Sequence, residues 1–276
     1  MPLISVLWAL GLLTAISLSL LWSSNVSYGL VRNNLETVRL DSVAEAAVNR
    51  AAAALLDPRP GRRWRTDGVV QNFEFDGTRI NISIQDELGK IDLNQAEASL
   101  LVGLLKSADL DFGSADGLAD KIVDWRTPTS LKRLNGAKEQ EFREADSAYH
   151  PRNGPFQSVD ELLLVMDMSP ALFRRLEPAL TVYSGRQFID PQVAPREALA
   201  ALPDMTPDKI DAVLASRGDQ QMASGQVIGV PSTLRGRAFA IRIQFEKSNS
   251  TIRYEAVIRL TENPEQPYFV LSWRRL

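Results

Sequence analysis

The stretch Asp86–Leu105, DELGKIDLNQAEASLLVGLL, decides how this chain folds. Just before it, Ile80, Ile82 and Ile84 alternate with Arg79, Asn81 and Ser83, the two-residue period of a half-buried strand. That period stops at Gly89. From near Asn94 the spacing becomes helical, with Leu100, Leu101, Leu104 and Leu105 on one face. Upstream, VVQNFEF and TRINISI flank Asp76-Gly77, a pair suited to a hairpin turn. Downstream, three alternating runs predict antiparallel strands with one buried face. They are Phe239, Ile241, Ile243 and Phe245; Ile252, Tyr254, Ala256, Ile258 and Leu260; and Phe269, Leu271 and Trp273. Between the two strand groups, Leu93 to about Arg217 reads as helices and loops. Leu118, Ile122, Val123 and Trp125 keep helical spacing, as do Val159, Leu162, Leu163 and Val165, and then Leu172, Leu176 and Leu180. A sheet is therefore predicted to be interrupted at Gly89 by a helical block and resumed near Phe239, in an α+β chain.

Composition narrows the function. The chain has 276 residues, 45% of them hydrophobic, and a net charge of −3, which suits one or two globular units and lacks the basic excess of a general phosphate binder. Without cysteine there is no disulfide, no thiolate catalysis and no cysteine-ligated zinc.

The amino terminus carries a different signal. Leu3–Trp22, LISVLWALGLLTAISLSLLW, is uncharged over a length that crosses a bilayer core of roughly 30 Å as a helix. A cleaved secretory signal would want a basic stretch ahead of it and a shorter apolar core, whereas the first basic residue is Arg32. A retained membrane helix is expected. From Leu30 to Leu56 there is neither Gly nor Pro, and Leu40, Val43, Ala47, Ala51 and Leu55 recur at helical spacing. The helix is thus predicted to run on, amphipathic, until Asp57–Gly61, DPRPG, stops it. The expected division is 1–24 membrane helix, 25–57 its continuation, 62–90 the first strands, 91–217 an inserted helical domain and 218–276 the closing strands.

Within the helical block, Ile91–Leu105, Phe156–Leu176 and Ile189–Arg217 each set a polar cap or proline before a leucine-rich helix. The last two then turn into a second short helix. Such pairs resemble the helix-hairpin-helix units of nucleic-acid-binding proteins, which need a glycine for close backbone approach to phosphate. Here Asp167-Met168-Ser169 and Asp204-Met205-Thr206 stand there instead, so Ser169 and Thr206 are expected as helix caps and no nucleic acid as a partner. A membrane-anchored nucleic-acid receptor is the alternative. Enzyme signatures are missing: the single histidine, His150, lies in YHPRNGPF, and no nucleophile elbow, Walker loop or paired-histidine motif occurs. No catalytic residue is assigned. The acidic run with Asp109, Asp111, Asp116 and Asp120 departs from the EF-hand pattern, and capping by Ser114 or Asp116 accounts for it as well.

Six motifs in order, the apolar LISVLWALGLL, then DELGKIDLN, ADKIVDW, NGPFQSVDELLLV, LTVYSG and APREALAALP, resemble the type II secretion system minor pseudopilin K (GspK) family over nearly the whole chain. The resemblance implies a type IV pilin-like fold, a long N-terminal helix plus antiparallel sheet, with a large inserted α-helical domain. It implies a non-enzymatic protein at the pseudopilus tip that primes fibre assembly with the minor pseudopilins I and J and supports export of folded proteins through the outer membrane. Its further partners would be the other pseudopilins, the inner membrane and the inner-membrane secretion platform. It would be anchored in the inner membrane by one span, with its C-terminal domain in the periplasm. Leu3, Ser5, Val6, Leu7, Trp8, Leu12, Leu13, Ile16 and Leu20 are then the membrane and assembly residues. Ser5 stands where ordinary pilins carry a glutamate, and a tip subunit with nothing stacked above it has no use for that buried carboxylate. Family members also bind calcium in the inserted domain. Here Asp124-Trp125 is followed by RTPTSLKRLNGAKEQEFREAD, with Arg126, Thr127, Pro128 and Thr129 in place of carboxylates, and no ligands are assigned.

Overall fold

Asp86 ends the second strand by capping the turn after it. Its Oδ1 accepts from the Leu88 amide at 2.9 Å, closing a 3₁₀ turn over Glu87–Gly89. Gly89 sits there because a Cβ would collide with the backbone of Val193 and Ala194, which passes directly over it. The computed structural model describes residues 2–75, 78–224, 236–247 and 250–276. The pair Asp76-Gly77 lies outside them.

The chain divides into two compact units, Met1–Asn49 and Arg50–Leu276. The first is helix α1 (Pro2–Leu55) up to Asn49, without a break through the apolar run. All five positions selected by periodicity, Leu40, Val43, Ala47, Ala51 and Leu55, are buried.

The second unit holds an antiparallel sheet in the order β1 (Asp67–Phe75), β2 (Thr78–Asp86), β5 (Ala238–Lys247), β6 (Ser250–Leu260), β7 (Tyr268–Arg275). Strands β2 and β5 are neighbours in register from Arg79↔Glu246 to Asp86↔Phe239, although the helical block separates them in sequence. The α+β architecture is therefore as expected: a long helix and an antiparallel sheet opened between β2 and β5. Ile80, Ile82, Ile84 and Asp86 of β2 and the odd residues of β5 from Phe239 to Phe245 are all buried on one face. Strand β7 departs from expectation. Between Val257 and Ile258 of β6 its register slips by one residue, so Trp273 faces with Ala256 while Phe269 lies opposite Arg259 on the other face. Phe269, Leu271 and Trp273 do not share a buried face; all three are exposed on this outer strand.

The helical block runs β3 (Ile91–Asp92), α2 (Ala98–Ser107), α3 (Phe112–Arg126), α4 (Glu139–Glu144), α5 (Pro170–Leu176), β4 (Leu180–Thr181), α6 (Arg196–Leu199) and α7 (Pro207–Ser224). Helix α2 starts later than Asn94, because Asp92 Oδ1 first turns the chain by accepting from the Asn94 amide at 2.8 Å. The Val159–Leu164 segment is 3₁₀, and its buried line follows the three-residue period of that helix: Val159 partly buried, Leu162 and Val165 buried, Leu163 exposed. Strands β3 and β4 pair in parallel and bring the block's two halves together. One core then joins α2, α3, α5 and α6 through residues such as Leu101, Leu104, Ile122, Leu176 and Leu199. Gly103 of α2 lies where any Cβ would strike the Ala201 carbonyl, so Gly103→Ala is expected to lower unfolding stability by about 1–3 kcal/mol, read from the urea midpoint of the full chain in detergent.

The block closes over the second face of the sheet. Tyr183 packs against Ala238, Ala240 and Val257. Beside this apolar contact lies an ion network in which Arg274 of β7 donates to Glu255 at 2.7 Å and to Glu177 at 2.9 Å, and Arg242 donates to Glu255 at 2.7 Å. Burial raises the Glu255 carboxyl, but the charges of Arg242, Lys90 and Arg274 outweigh it and bring the group down to about 2. Asp86 is the opposite case. Burial dominates the Arg237 guanidinium paired with it and lifts the carboxyl to about 6. The two groups act on stability with opposite sign. Glu255, lowered in the fold, contributes stability above its ordinary value near ~4.3 that is lost as pH falls towards 2. Asp86, raised in the fold, contributes most below about 4 and loses that contribution as pH rises through 6. Asp86→Asn is expected to flatten the stability profile between pH 4 and 6, and Glu255→Gln its acid limb between about pH 4 and 2, as measured by urea midpoints from pH 2 to 6.

Candidate functional site

Helix α1 is apolar on every side at its start. Leu3, Ile4, Val6, Leu7, Trp8, Leu12, Leu13 and Ile16 are all exposed, Leu3 by 79% and Trp8 by 77%, and at 100° per residue they cover the whole circumference. A helix hydrophobic all round needs an apolar surrounding, either lipid or other helices. Ser5 adds no charge to this surface, since its hydroxyl donates to the Pro2 carbonyl at 2.8 Å within the helix. Gly11 leaves a hollow edged by Ile4, Leu7, Trp8, Leu12 and Ala15, a shape that admits a close neighbouring helix. Leu20 lies in α1, but its side chain falls outside the described residues. Among the described residues no helix is long and apolar enough to cross a membrane. The described side chains of the apolar run end at Ser17, five residues short of Trp22.

In the helical block the acidic run is spent on local structure. Asp111 rather than Ser114 or Asp116 caps α3, accepting from the Ser114 amide at 3.1 Å and its hydroxyl at 2.6 Å; these bonds lower its pKa. Asp109 pairs with Arg175 at 2.5 Å. Asp116 accepts from the Asn135 side chain at 3.1 Å. Asp120 takes the Asn135 amide at 3.1 Å together with the Arg133 guanidinium, and Asp124 takes the Arg133 amide at 3.0 Å. Gly136 is fixed by the same cluster, because a Cβ there would overlap the Asp124 carboxylate. Burial raises Asp124 in spite of these bonds. The residues do not fit the calcium that the family resemblance implies. Calcium wants about six to eight oxygens free to converge on it, and these carboxylates are already committed to amides and to a guanidinium. Among the described residues no group of three or more His, Cys, Asp or Glu side chains could hold a metal ion.

The two hairpins replace glycine in an unusual way. Asp167 and Asp204 occupy the left-handed region at φ 66° and 60°, which Asp tolerates better than most residues. Ser169 caps α5, accepting from the Leu172 amide at 3.1 Å, and the Thr206 hydroxyl accepts from the Lys209 amide at 3.4 Å. Asp167 is paired with Lys121. His150 is exposed, 3.1 Å from Glu139. A feature not visible in the sequence is an apolar groove of about 730 Å³ beside α2, with Phe112 and Phe188 exposed on its rim.

Residues 78–185 match the family model described as "Type II secretion system (T2SS), protein K". The type II secretion system protein K of Pseudomonas aeruginosa strain PAO1 is 24% identical over 159 residues, which take in 54% of this chain and 47% of that protein. The chain thus spans about half the length of the curated relative it matches. A chain in the crystal structure of the GspK-GspI-GspJ complex from the enterotoxigenic Escherichia coli type 2 secretion system superposes with a TM-score of 0.64. That likeness covers 89% of this chain and 99% of the other at 15% identity, and it establishes a common fold. The family resemblance drawn from the six motifs is borne out by these matches.

Proposed function

We propose, from this kinship with type II secretion protein K, that the chain is a minor pseudopilin at the tip of a pseudopilus. There it initiates fibre assembly with minor pseudopilins I and J and supports export of folded proteins across the outer membrane. The observation that carries this reading is the bare apolar start of α1, joined in one chain to a sheet interrupted by the block that matches protein K. A free helix of this kind is stable in lipid, and it can leave lipid only by exchanging those contacts for other pilin helices. We assign residues 1–24 to a single inner-membrane span, 25–57 to its continuation, and 91–217 to an inserted domain of a pilin-like unit in the periplasm. The other pseudopilins and the inner-membrane platform complete its partners. Ser5, neutral and internally bonded, suits a subunit with no neighbour above it. The role is structural, without catalysis, and the acidic hairpins at Asp167 and Asp204 speak against nucleic acid as a partner.

The test is to mix the full chain in detergent with full-length I and J and measure mass by light scattering during size-exclusion chromatography. A 1:1:1 species is the expected result. Association of I with J while this chain elutes alone would overturn the tip assignment.

A further inference from the structure

We propose that the Lys138 ammonium is the resident structural cation of the helical block, holding the segment from Thr127 to Lys138 against α3 in place of a bound metal ion. The segment has no helix or strand of its own and is anchored from two sides. On one side the Asp120 and Asp124 carboxylates collect the amides of Asn135 and Arg133. On the other the Lys138 Nζ donates to the carbonyls of Asp124 and Thr127, the latter at 2.6 Å, and to Asn153 Oδ1 at 3.0 Å.

An ammonium has three hydrogens, and here each has an oxygen partner. Two of these oxygens are carbonyls at the C-terminal end of α3, where the helix leaves carbonyls unsatisfied and favours positive charge. The third comes from Asn153, held in the left-handed region at φ 51°, next to Gly154, whose amide donates to the Trp125 carbonyl at 3.4 Å. Lys138 is only 6% exposed, so its charge is compensated inside the fold by these oxygens and by the neighbouring Asp124 carboxylate. The Lys138 amide is engaged as well, donating to Glu141 Oε2 at 3.0 Å and starting α4. Oxygens from the end of α3 and from Asn153 therefore converge on one nitrogen, as they would on a metal ion. The carboxylates that such an ion would recruit hold the loop backbone instead. The inference concerns the fold of the block alone and does not depend on the tip assignment.

The test uses the full chain in detergent. Its melting temperature is expected to be the same in a chelator and in millimolar calcium chloride, and calorimetric titration with calcium chloride is expected to give no saturable heat. Lys138→Met keeps the aliphatic stem and removes the charge; it should lower the melting temperature by roughly 5 °C. It should also abolish hydrogen-exchange protection of the Arg133 and Asn135 amides before that of the α2 amides. A wild-type melting temperature that rises with calcium would overturn the proposal, as would a Lys138→Met chain with wild-type stability and loop protection. If Lys138→Met does not fold at all, the calcium response of the wild-type chain still decides.

Discussion

Export should fall to background when Leu12 is replaced by Arg, while the folded unit from Arg50 onward keeps its urea midpoint. Leu12 is 65% exposed in the apolar start of α1 and borders the hollow at Gly11. Moving Arg rather than Leu into the middle of a membrane helix costs on the order of 3–4 kcal/mol, a factor of several hundred in the inserted population. The same charge would be buried without a partner once helices pack into a fibre, so both possible surroundings of the helix reject it. Secretion of an exoprotein reporter, with membrane fractionation alongside, is the measurement. Normal secretion by the variant would count against an assembly role for this end of α1.

A comparable loss, this time of stability, is expected from Trp125→Ala. Trp125 is buried in α3 between Phe142 and Phe156, with ring centroids at 6.0 and 6.1 Å, and it belongs to the core that unites the helical block. Truncating such a residue costs about 3–5 kcal/mol, a large share of the roughly 5–15 kcal/mol that holds an ordinary domain. Its indole N–H is buried with no partner among the described residues, and that isolated donor is itself a cost. Trp125→Phe removes the donor and keeps a ring, so it is expected to lie within about 1.5 kcal/mol of the original. Urea unfolding of the two variants gives both numbers. An equal loss in both would show that the indole, and not the aromatic packing, matters.

How far the sequence revealed these features depends on the range of the forces involved. Strands β2, β5 and β6 were readable because one face of each carries the large apolar side chains, which prints a two-residue period on the sequence even where the block also covers the smaller residues of the second face. Strand β7 was misread at Leu271, where the register slips; a bulge changes which residues face inward and leaves no mark in composition. The 3₁₀ turn at Val159–Leu164 was read as helical spacing because the periods 3.0 and 3.6 hardly differ over six residues. Gly89 marks the end of the strand period and Gly103 carries no local signal, and the backbones that require them, at Val193 and Ala201, lie about a hundred residues away in the chain. Nothing in the sequence singles out Lys138. Its partners at Asp124, Thr127 and Asn153 meet only after folding, and no local pattern could have joined them. The apolar start of α1 is a different matter, since its want of charge is visible in composition alone.

The pairing of Asp86 with Arg237 spans 151 residues of sequence, and this has a consequence for the order of folding. Closing a flexible loop of that size costs about 4 kcal/mol in chain entropy before β2 and β5 gain any contact. At roughly 5–20 residues per second, the β1–β2 hairpin waits about 8–30 s on the ribosome for its next strand. During that interval Ile80, Ile82 and Ile84, together with the open edge of β2, offer a template to any other unfinished chain. The helical block shortens the hazard once it is made. The Asp190 amide reaches the Leu88 carbonyl at 2.7 Å, and the Gln85 side chain reaches the Val193 carbonyl at 2.6 Å, so the returning chain is delivered to the end of β2 before β5 exists. An insertion that looks like an interruption of the sheet is, in time, the scaffold on which the sheet is completed.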